Sequence, residues 1–350
     1  MTFDYTYRRN WKWYLFSQNA KIFTGGGSTR VSRHGKSHVN TQQKPVVLVT
    51  GADLAQPALD LLQEFEVVLA GKQPTEDQVI ALAAQHNPVA IVARYGKITA
   101  AMMDAAPGLR VISRHGSGVD VVDRNAAAQR GILVRAAVGA NAAAVAEHAW
   151  GLILACAKSV IHLNSRMRGG FWDKATYKTI ELNGRTLGIV GFGEIGRRTA
   201  AIGVAMGMKV LAFDPFATSA PEGVELVSLD ELYTRSDVVS LHCPLTDENR
   251  KMINRDTLTR FKDGSIFVNT ARGGLVDEPA LIEALTSGKL YAAGLDSFEV
   301  EPFTPGHPFC DVPNLVLSPH VGGVSDAAYV NLGVTAARNL LAALEAAVTA

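Results

Sequence analysis

The chain has 350 residues, 47% hydrophobic and 19% charged, with a formal net charge of +1. That length suits two domains with separate cores, and that balance supplies no global pull toward nucleic acid or membrane. Three scattered cysteines, Cys156, Cys243 and Cys310, lack metal-ligand spacing. They argue against a disulfide framework or a metal site and fit a reducing cytoplasm.

Charge is uneven along the chain. Residues 1–44 carry Arg8, Arg9, Lys12, Lys21, Arg30, Arg33, Lys36 and Lys44 against Asp4 alone, near +7, which leaves near −6 for the rest. The aromatics in MTFDYTYRRNWKWYLF show no periodicity, and GGGSTRVSRHGKSHVN reads as flexible chain. No long apolar run follows the basic part, which disfavours a secretory signal. A transit peptide stays open on arginine and serine content, with a disordered or misassigned start as the plainer reading.

From Pro45 onward short apolar runs alternate with helical stretches. PVVLVTG, EVVLAG, VAIVARYG, LRVISRHGSG and GILVRAAVG predict strands, with AQPALDLLQEF, TEDQVIALAAQH and ITAAMMDAAP as intervening helices. A long helical stretch over about 145–167 leads to a second series: TLGIVG, KVLAFD, DVVSLHCP, SIFVNTA, YAAGLDSF and NLVLSPH. The apolar run within 145–167 is interrupted by His148, Lys158 and His162 and is too short to span a bilayer. The pattern predicts an α/β protein of two Rossmann-like or flavodoxin-like domains with parallel sheets. A last helix from Asp326 that packs back on the first unit would make that unit discontinuous, with residues 45–140 and 326–350 enclosing residues 141–325.

TLGIVGFGEIGRRTAAIGVAMGMKVLAFDPF carries the clearest chemical signal. Gly191, Gly193 and Gly196 follow a strand and open a helix, and Asp214 ends the next strand 18 residues after the last glycine. Three glycines alone are a weak sign; this context makes them a dinucleotide fingerprint. Gly191 permits the tight turn, Gly193 lets a pyrophosphate approach the backbone, and Gly196 lets helix and strand pack closely. The helix N-terminus offers free N–H donors to phosphate. Asp214 can bind both adenosine ribose hydroxyls and repel a 2′-phosphate, which favours NAD over NADP.

Ligands in open parallel sheets lie beyond the carboxyl ends of strands. Arg272 follows SIFVNTA, Asp296 and Glu301 follow YAAGL, and His320 follows NLVL, so all should face one crevice. A guanidinium grips a carboxylate with two parallel hydrogen bonds. A carboxylate beside an imidazole stabilises imidazolium and so makes a histidine a proton donor near neutral pH. Each residue alone has an ordinary alternative: an exposed ion pair, a loop charge, a turn former or a structural histidine. Together, beside a hydride carrier, they suit reduction of a 2-oxo acid.

Over most of residues 45–345 the chain resembles the D-isomer-specific 2-hydroxyacid dehydrogenases, the family of phosphoglycerate, glycerate, D-lactate and formate dehydrogenases. The resemblance runs through RHGSGVDVVD, ANAAAVAEHA, ELNGRTLGIVGFGEIGR, LHCPLTDENR, FVNTARGGLVDEPAL, GLDSFEVEP and SPHVGG. It implies that an NAD-binding domain is inserted into a discontinuous substrate-binding domain and that the enzyme is a homodimer. It also implies that Arg272 anchors the substrate carboxylate, that Glu301 assists His320, and that His320 exchanges a proton with the substrate oxygen. Asp296 would fix the nicotinamide carboxamide. Cofactor contacts implied by the match are Gly191, Gly193, Glu194, Ile195, Gly196, Asp214, His242, Pro244, Thr270, Ala271 and Gly322.

Where phosphoglycerate-specific relatives have an arginine-serine pair in the first-domain loop, this chain has VARYGKIT. Arg94 and Lys97 could meet a phosphate there, or Tyr95 and Gly96 could offer ring and N–H to hydroxypyruvate or glyoxylate; Gly118 completes the expected substrate contacts. Glu301 stands where formate dehydrogenases of the family carry glutamine, which argues against that activity. No appended regulatory domain is expected, nor serine feedback through one. The leading reading is an NAD-dependent D-2-hydroxyacid dehydrogenase of the phosphoglycerate dehydrogenase-like kind, with a hydroxypyruvate/glyoxylate reductase as the alternative, in the cytoplasm. An NAD(H)-sensing corepressor-like binding protein on the same fold is the rival of another class.

Overall fold

The computed structural model describes residues 44–349, so the basic extension expected over 1–44 lies, apart from Lys44, outside the described residues. The first five strands are β1 (Val46–Val49), β2 (Glu66–Leu69), β3 (Ala90–Ala93), β4 (Val111–Arg114) and β5 (Leu133–Ala136). They form one all-parallel sheet in the order β2-β1-β3-β4-β5. Its crossovers carry α1 (Gln56–Leu61), α2 (Glu76–His86), α3 (Ala100–Asp104) and α4 (Arg124–Gln129). All four residues of β3 are buried. A strand covered on both faces must be a continuous apolar run rather than an alternating one, and AIVA is such a run.

The chain then enters α5 (Ala142–Ala157) and α6 (Val160–Arg168), followed by β6 (Thr186–Val190), α7 (Glu194–Ala205), β7 (Lys209–Phe213) and β8 (Val224–Leu226). After these come α8 (Leu229–Arg235), β9 (Val238–Leu241), α9 (Arg255–Arg260), β10 (Ser265–Asn269), α10 (Glu278–Thr286), β11 (Leu290–Leu295) and β12 (Leu315–Leu317). The second sheet is also all parallel, in the order β12-β11-β10-β9-β6-β7-β8. The order in which strands are added switches sides between β6 and β9, which opens a crevice at their carboxyl ends.

The last helix, α11 (Asp326–Thr349), returns to the first sheet. Ala336, Ala337 and Leu340 pack on Val47, Val49, Val92 and Val111. Ser113 Oγ donates to the Ala336 carbonyl at 2.8 Å, and Asn339 Nδ2 donates to the Ala136 carbonyl at 2.9 Å. The first lobe is therefore built from both ends of the described chain.

Three features depart from the sequence expectation. The helical stretch at 145–167 is two helices bent by 58°. Ser159 at the break is left-handed (φ 48°), and the Ala157 carbonyl accepts the Ile180 N–H at 2.9 Å instead of continuing the helix. The edge strand β8 and helix α4 were not anticipated, because three and six residues are too short to show a period. No single helix among the described residues is long and apolar enough to cross a membrane.

Candidate active site

The crevice between β6 and β9 is shaped by glycines. Gly191 has φ 94°, and a Cβ there would lie 2.5 Å from the Cys243 nitrogen. A Cβ on Gly196 would lie 2.0 Å from the Gly191 carbonyl oxygen, so the start of α7 can approach β6 only without one. Gly193 is the N-cap of α7, and a Cβ there would meet nothing within 4 Å. The helix thus opens onto unfilled space with its first N–H groups uncapped by any side chain, as a pyrophosphate requires. Glu194 is exposed in the first turn and Ile195 is half-buried. Asp214 is held with Oδ2 accepting the Phe192 N–H at 2.8 Å and Oδ1 accepting the Phe216 N–H at 2.9 Å. Each oxygen keeps a lone pair for a ribose hydroxyl.

Two side chains around this crevice each have a buried polar atom without a partner among the described residues. His242 bonds Ser240 Oγ through Nε2 at 3.0 Å, while its Nδ1 is buried and unbonded among the described residues. Burial pushes this imidazole down to about 3, so it is neutral. Thr270 Oγ1, beyond β10, is buried and unbonded as well. Such orphaned polar atoms fit a dinucleotide that completes them. Pro244 is exposed beside them, whereas Ala271 is buried and offers its carbonyl to Arg272 Nη1 at 2.8 Å.

Arg272 is set by Asn269, the fully buried last residue of β10. Its Oδ1 accepts the Ala271 N–H at 3.0 Å and its Nδ2 donates to the Arg272 carbonyl at 2.9 Å, which fixes the turn. The Arg272 guanidinium reaches the first lobe. Nε and Nη2 donate to one oxygen of Asp120 at 3.1 and 2.9 Å. Gly118 lies beneath, where a Cβ would come within 2.1 Å of Nη2. Arginine has five N–H groups, so one on Nη1 and one on Nη2 remain without a partner among the described residues.

His320 sits in a turn, at φ 53°, that Asp296 braces. Asp296 is 2% exposed and accepts from Ser318 Oγ (2.6 Å), the Val321 N–H (2.9 Å) and the Gly322 N–H (2.7 Å). His148 Nε2 lies 3.3 Å away and also bonds Ser318 Oγ at 2.8 Å. Burial alone would raise this carboxyl, but the bonds from His148, Ser318, Gly322 and Val321 outweigh it and hold it below the ordinary range. Asp296 and Gly322, which the sequence reading expects at the cofactor, bond each other in the turn. Both are buried.

Glu301 and His320 meet directly, with Nδ1 2.7 Å from Glu301 Oε2, while Glu301 Oε1 accepts the Phe298 N–H at 3.0 Å. The contact assigns the proton to Nδ1 and leaves Nε2 without a partner among the described residues. The two side chains are 46% and 36% exposed, accessible to a small molecule. A hydrogen-bonded imidazole with a free Nε2 can take up or release a proton there.

The first-lobe loop differs from expectation. The Arg94 side chain is only 8% exposed and pairs with the carboxylate and carbonyl of Asp53, its guanidinium 5.2 Å from the Tyr329 ring. Hydrogen bonding to Arg94 holds the Asp53 carboxyl below the ordinary range. Arg94 Nη1 is therefore engaged within the first lobe. The Tyr95 N–H is also taken, by the Thr50 carbonyl at 3.0 Å, so Tyr95 offers only its exposed ring. Gly96 (φ 75°) and Lys97 are exposed. Asp120, Asn269, Asp53 and Ser318 were missed in the sequence because single polar residues in loops carry no periodic signal.

Residues 150–322 match the model of the D-isomer specific 2-hydroxyacid dehydrogenase, NAD binding domain. With the glycine cradle at the switch point of the second sheet, this defines an oxidoreductase that uses a nicotinamide dinucleotide on a hydroxyl-bearing substrate. Over 276 residues the chain is 41% identical to hydroxypyruvate reductase of Thermotoga maritima, covering 78% of this chain and 90% of that one. The chain belongs to the D-isomer specific 2-hydroxyacid dehydrogenase family, whose substrates are small 2-hydroxy or 2-oxo acids. It is 36% identical over 291 residues to D-3-phosphoglycerate dehydrogenase of Archaeoglobus fulgidus, 82% of this chain but 55% of that protein, so it spans about half of that relative's length. Among solved structures, the TT0316 protein from Thermus thermophilus superposes with a TM-score of 0.79 at 38% identity, over 86% of this chain and 97% of that one. A glyoxylate reductase from Paecilomyes thermophila superposes with a TM-score of 0.77 at 29% identity, over 86% and 96%. An enzyme, rather than a dinucleotide-sensing binding protein, is what this membership supports.

Proposed function

We propose that the protein interconverts a short 2-oxo acid and its D-2-hydroxy acid with NAD(H), and that His320 is the proton donor in the reductive direction. The observation that carries this reading is the 2.7 Å contact between His320 Nδ1 and Glu301. A dinucleotide held by the glycine cradle would supply the hydride. Arg272 pairs the substrate carboxylate through its unused N–H groups and orients C2. His320 delivers a proton from Nε2 to the substrate oxygen, and Glu301 stabilises the charged imidazole on the opposite side. Asp214 favours NAD over NADP, since its carboxylate would stand against a 2′-phosphate.

Hydroxypyruvate and glyoxylate are proposed as better substrates than 3-phosphohydroxypyruvate. Asp53 pairs with Arg94, which leaves Lys97 as the exposed cation of the first-lobe loop where a phosphate dianion would favour two. A homodimer in the cytoplasm is the proposed working form. Val160, Ile161, Met167, Phe171 and Trp172 stand exposed together in sequence, Trp172 at 75%, as a monomer surface rarely leaves them. The test is NADH oxidation at 340 nm with hydroxypyruvate, glyoxylate, pyruvate and 3-phosphohydroxypyruvate. Tight NADH binding with no turnover on any of them would end this reading, and a preference for the phosphorylated acid would end the substrate assignment.

A further inference from the structure

The loop that carries Glu301 is shaped from behind by residues of the loop that carries Arg272. A Cβ on Gly273 would fall 1.9 Å from the Phe298 carbonyl carbon, 2.1 Å from its oxygen and 2.3 Å from the Glu299 nitrogen. Gly273 therefore packs flat on the Phe298–Glu299 peptide. The N–H of that same peptide donates to Glu278 Oε1 at 2.9 Å. Glu278 opens α10, six residues after Arg272. One residue earlier, the Phe298 N–H donates to Glu301 Oε1. Two carboxylates thus hold consecutive N–H groups, Glu301 on the reacting side and Glu278 behind.

Glu278 is itself oriented. Its Oε2 lies 3.3 Å from His307 Nε2, and both side chains are largely buried. His307 Nδ1 accepts the Phe309 N–H at 3.3 Å, so the proton belongs on Nε2 and faces Glu278. Phe303 and Phe309 flank the ring at centroid distances of 4.7 and 4.9 Å. This second imidazole–carboxylate pair is largely buried, and Glu278 uses its other oxygen on the Phe298–Glu299 peptide.

We propose that Glu278, oriented by His307, is a positioning residue that locks this peptide and so holds Glu301 against His320 at a set distance from the Arg272 turn. The inference rests on the acid–base reading of Glu301 and His320 given above. Freed from Glu278, the peptide plane can rotate, and Glu301 loses the register that lets both of its oxygens bond. Arg272 is held separately by Asn269 and Asp120, and the dinucleotide cradle is on other loops, so substrate anchoring and cofactor binding should be untouched.

The experiment compares E278A and E301Q singly and together, reading kcat and KM for hydroxypyruvate or glyoxylate, whichever is turned over, with NADH affinity by fluorescence. E278A should lower kcat about ten- to a hundredfold, as misplacement of a reacting group does. KM and NADH affinity should change less than about twofold, and in the E301Q background E278A should cost nothing further, because the two act through one group. Unchanged kcat, a loss of equal size in both backgrounds, or a matching loss of NADH affinity would overturn the proposal. If E278A does not fold, H307F decides. It keeps the aromatic packing, removes the donor to Glu278, and should lower kcat several-fold only while Glu301 is present; an equal loss without Glu301 overturns the proposal. E301Q with wild-type turnover would overturn the acid–base reading and this inference together, whereas a defective E301Q beside a silent E278A overturns this inference alone.

Discussion

Asp120 and Arg272 join the two lobes through a single carboxylate oxygen that accepts from both Nε and Nη2. Asp120 is exposed and Arg272 half-buried, so solvent screens the pair and its share of stability is about 0–1 kcal/mol. Its effect is geometric, since it turns the free N–H groups of Nη1 and Nη2 the same way. Asp120→Ala should leave the melting temperature nearly unchanged and raise KM for the 2-oxo acid about three- to tenfold, with NADH affinity intact. Steady-state kinetics beside a thermal melt distinguish this from a lobe-docking role, in which the melt would drop instead.

Removal of the imidazole should abolish proton delivery without touching the cradle. His320→Ala is expected to lower kcat by about 10²–10⁴ while NADH still quenches fluorescence with wild-type affinity. Turnover at the wild-type rate would take His320 out of the mechanism.

Gly193 and Gly196 should fail differently on substitution by alanine. At Gly193 a methyl has open space, so the fold survives and only the approach of phosphate is obstructed. At Gly196 it meets the Gly191 carbonyl, and the helix must move off the strand. Gly193→Ala should weaken NADH binding about tenfold at an unchanged melting temperature, whereas Gly196→Ala should lower both. Equal melts for the two would contradict the packing described here.

Burial first, and the Arg94 charge second, push His115 down to about 4. Its folded value lies below the unfolded value near 6.5, so the unfolded chain binds the extra proton. Stability is therefore full above about pH 6.5 and declines as pH falls toward about 4, by up to about 3 kcal/mol for this group. His242 acts with the same sign. His115→Gln should flatten the loss of melting temperature between pH 6.5 and 4, and an identical slope in the variant would show that His115 does not titrate on unfolding.

Much of this protein is legible in its amino-acid order. Apolar runs punctuated by glycine mark parallel strands, because a strand buried on both faces must be apolar throughout, and they yield both sheets apart from the edge strand β8. Gly191, Gly193 and Gly196 are readable because backbone contact demands them at fixed offsets, and Arg272, Glu301 and His320 stand out as polar residues that follow strand ends, two of which meet directly. What pairs with what is not readable. Asp120 stands 152 residues from Arg272, and nothing local says that these charges meet. Arg94 has the same charge in the sequence whether it is open to a phosphate or neutralised by Asp53, 41 residues earlier. Asp296 reads in the sequence as a ligand contact, and its bonds to the histidine turn show only in three dimensions. Only the tertiary structure decides such cases, because the state of a polar group depends on which distant groups share its hydrogen bonds and how much water is left beside it, and neither quantity has a period along the chain.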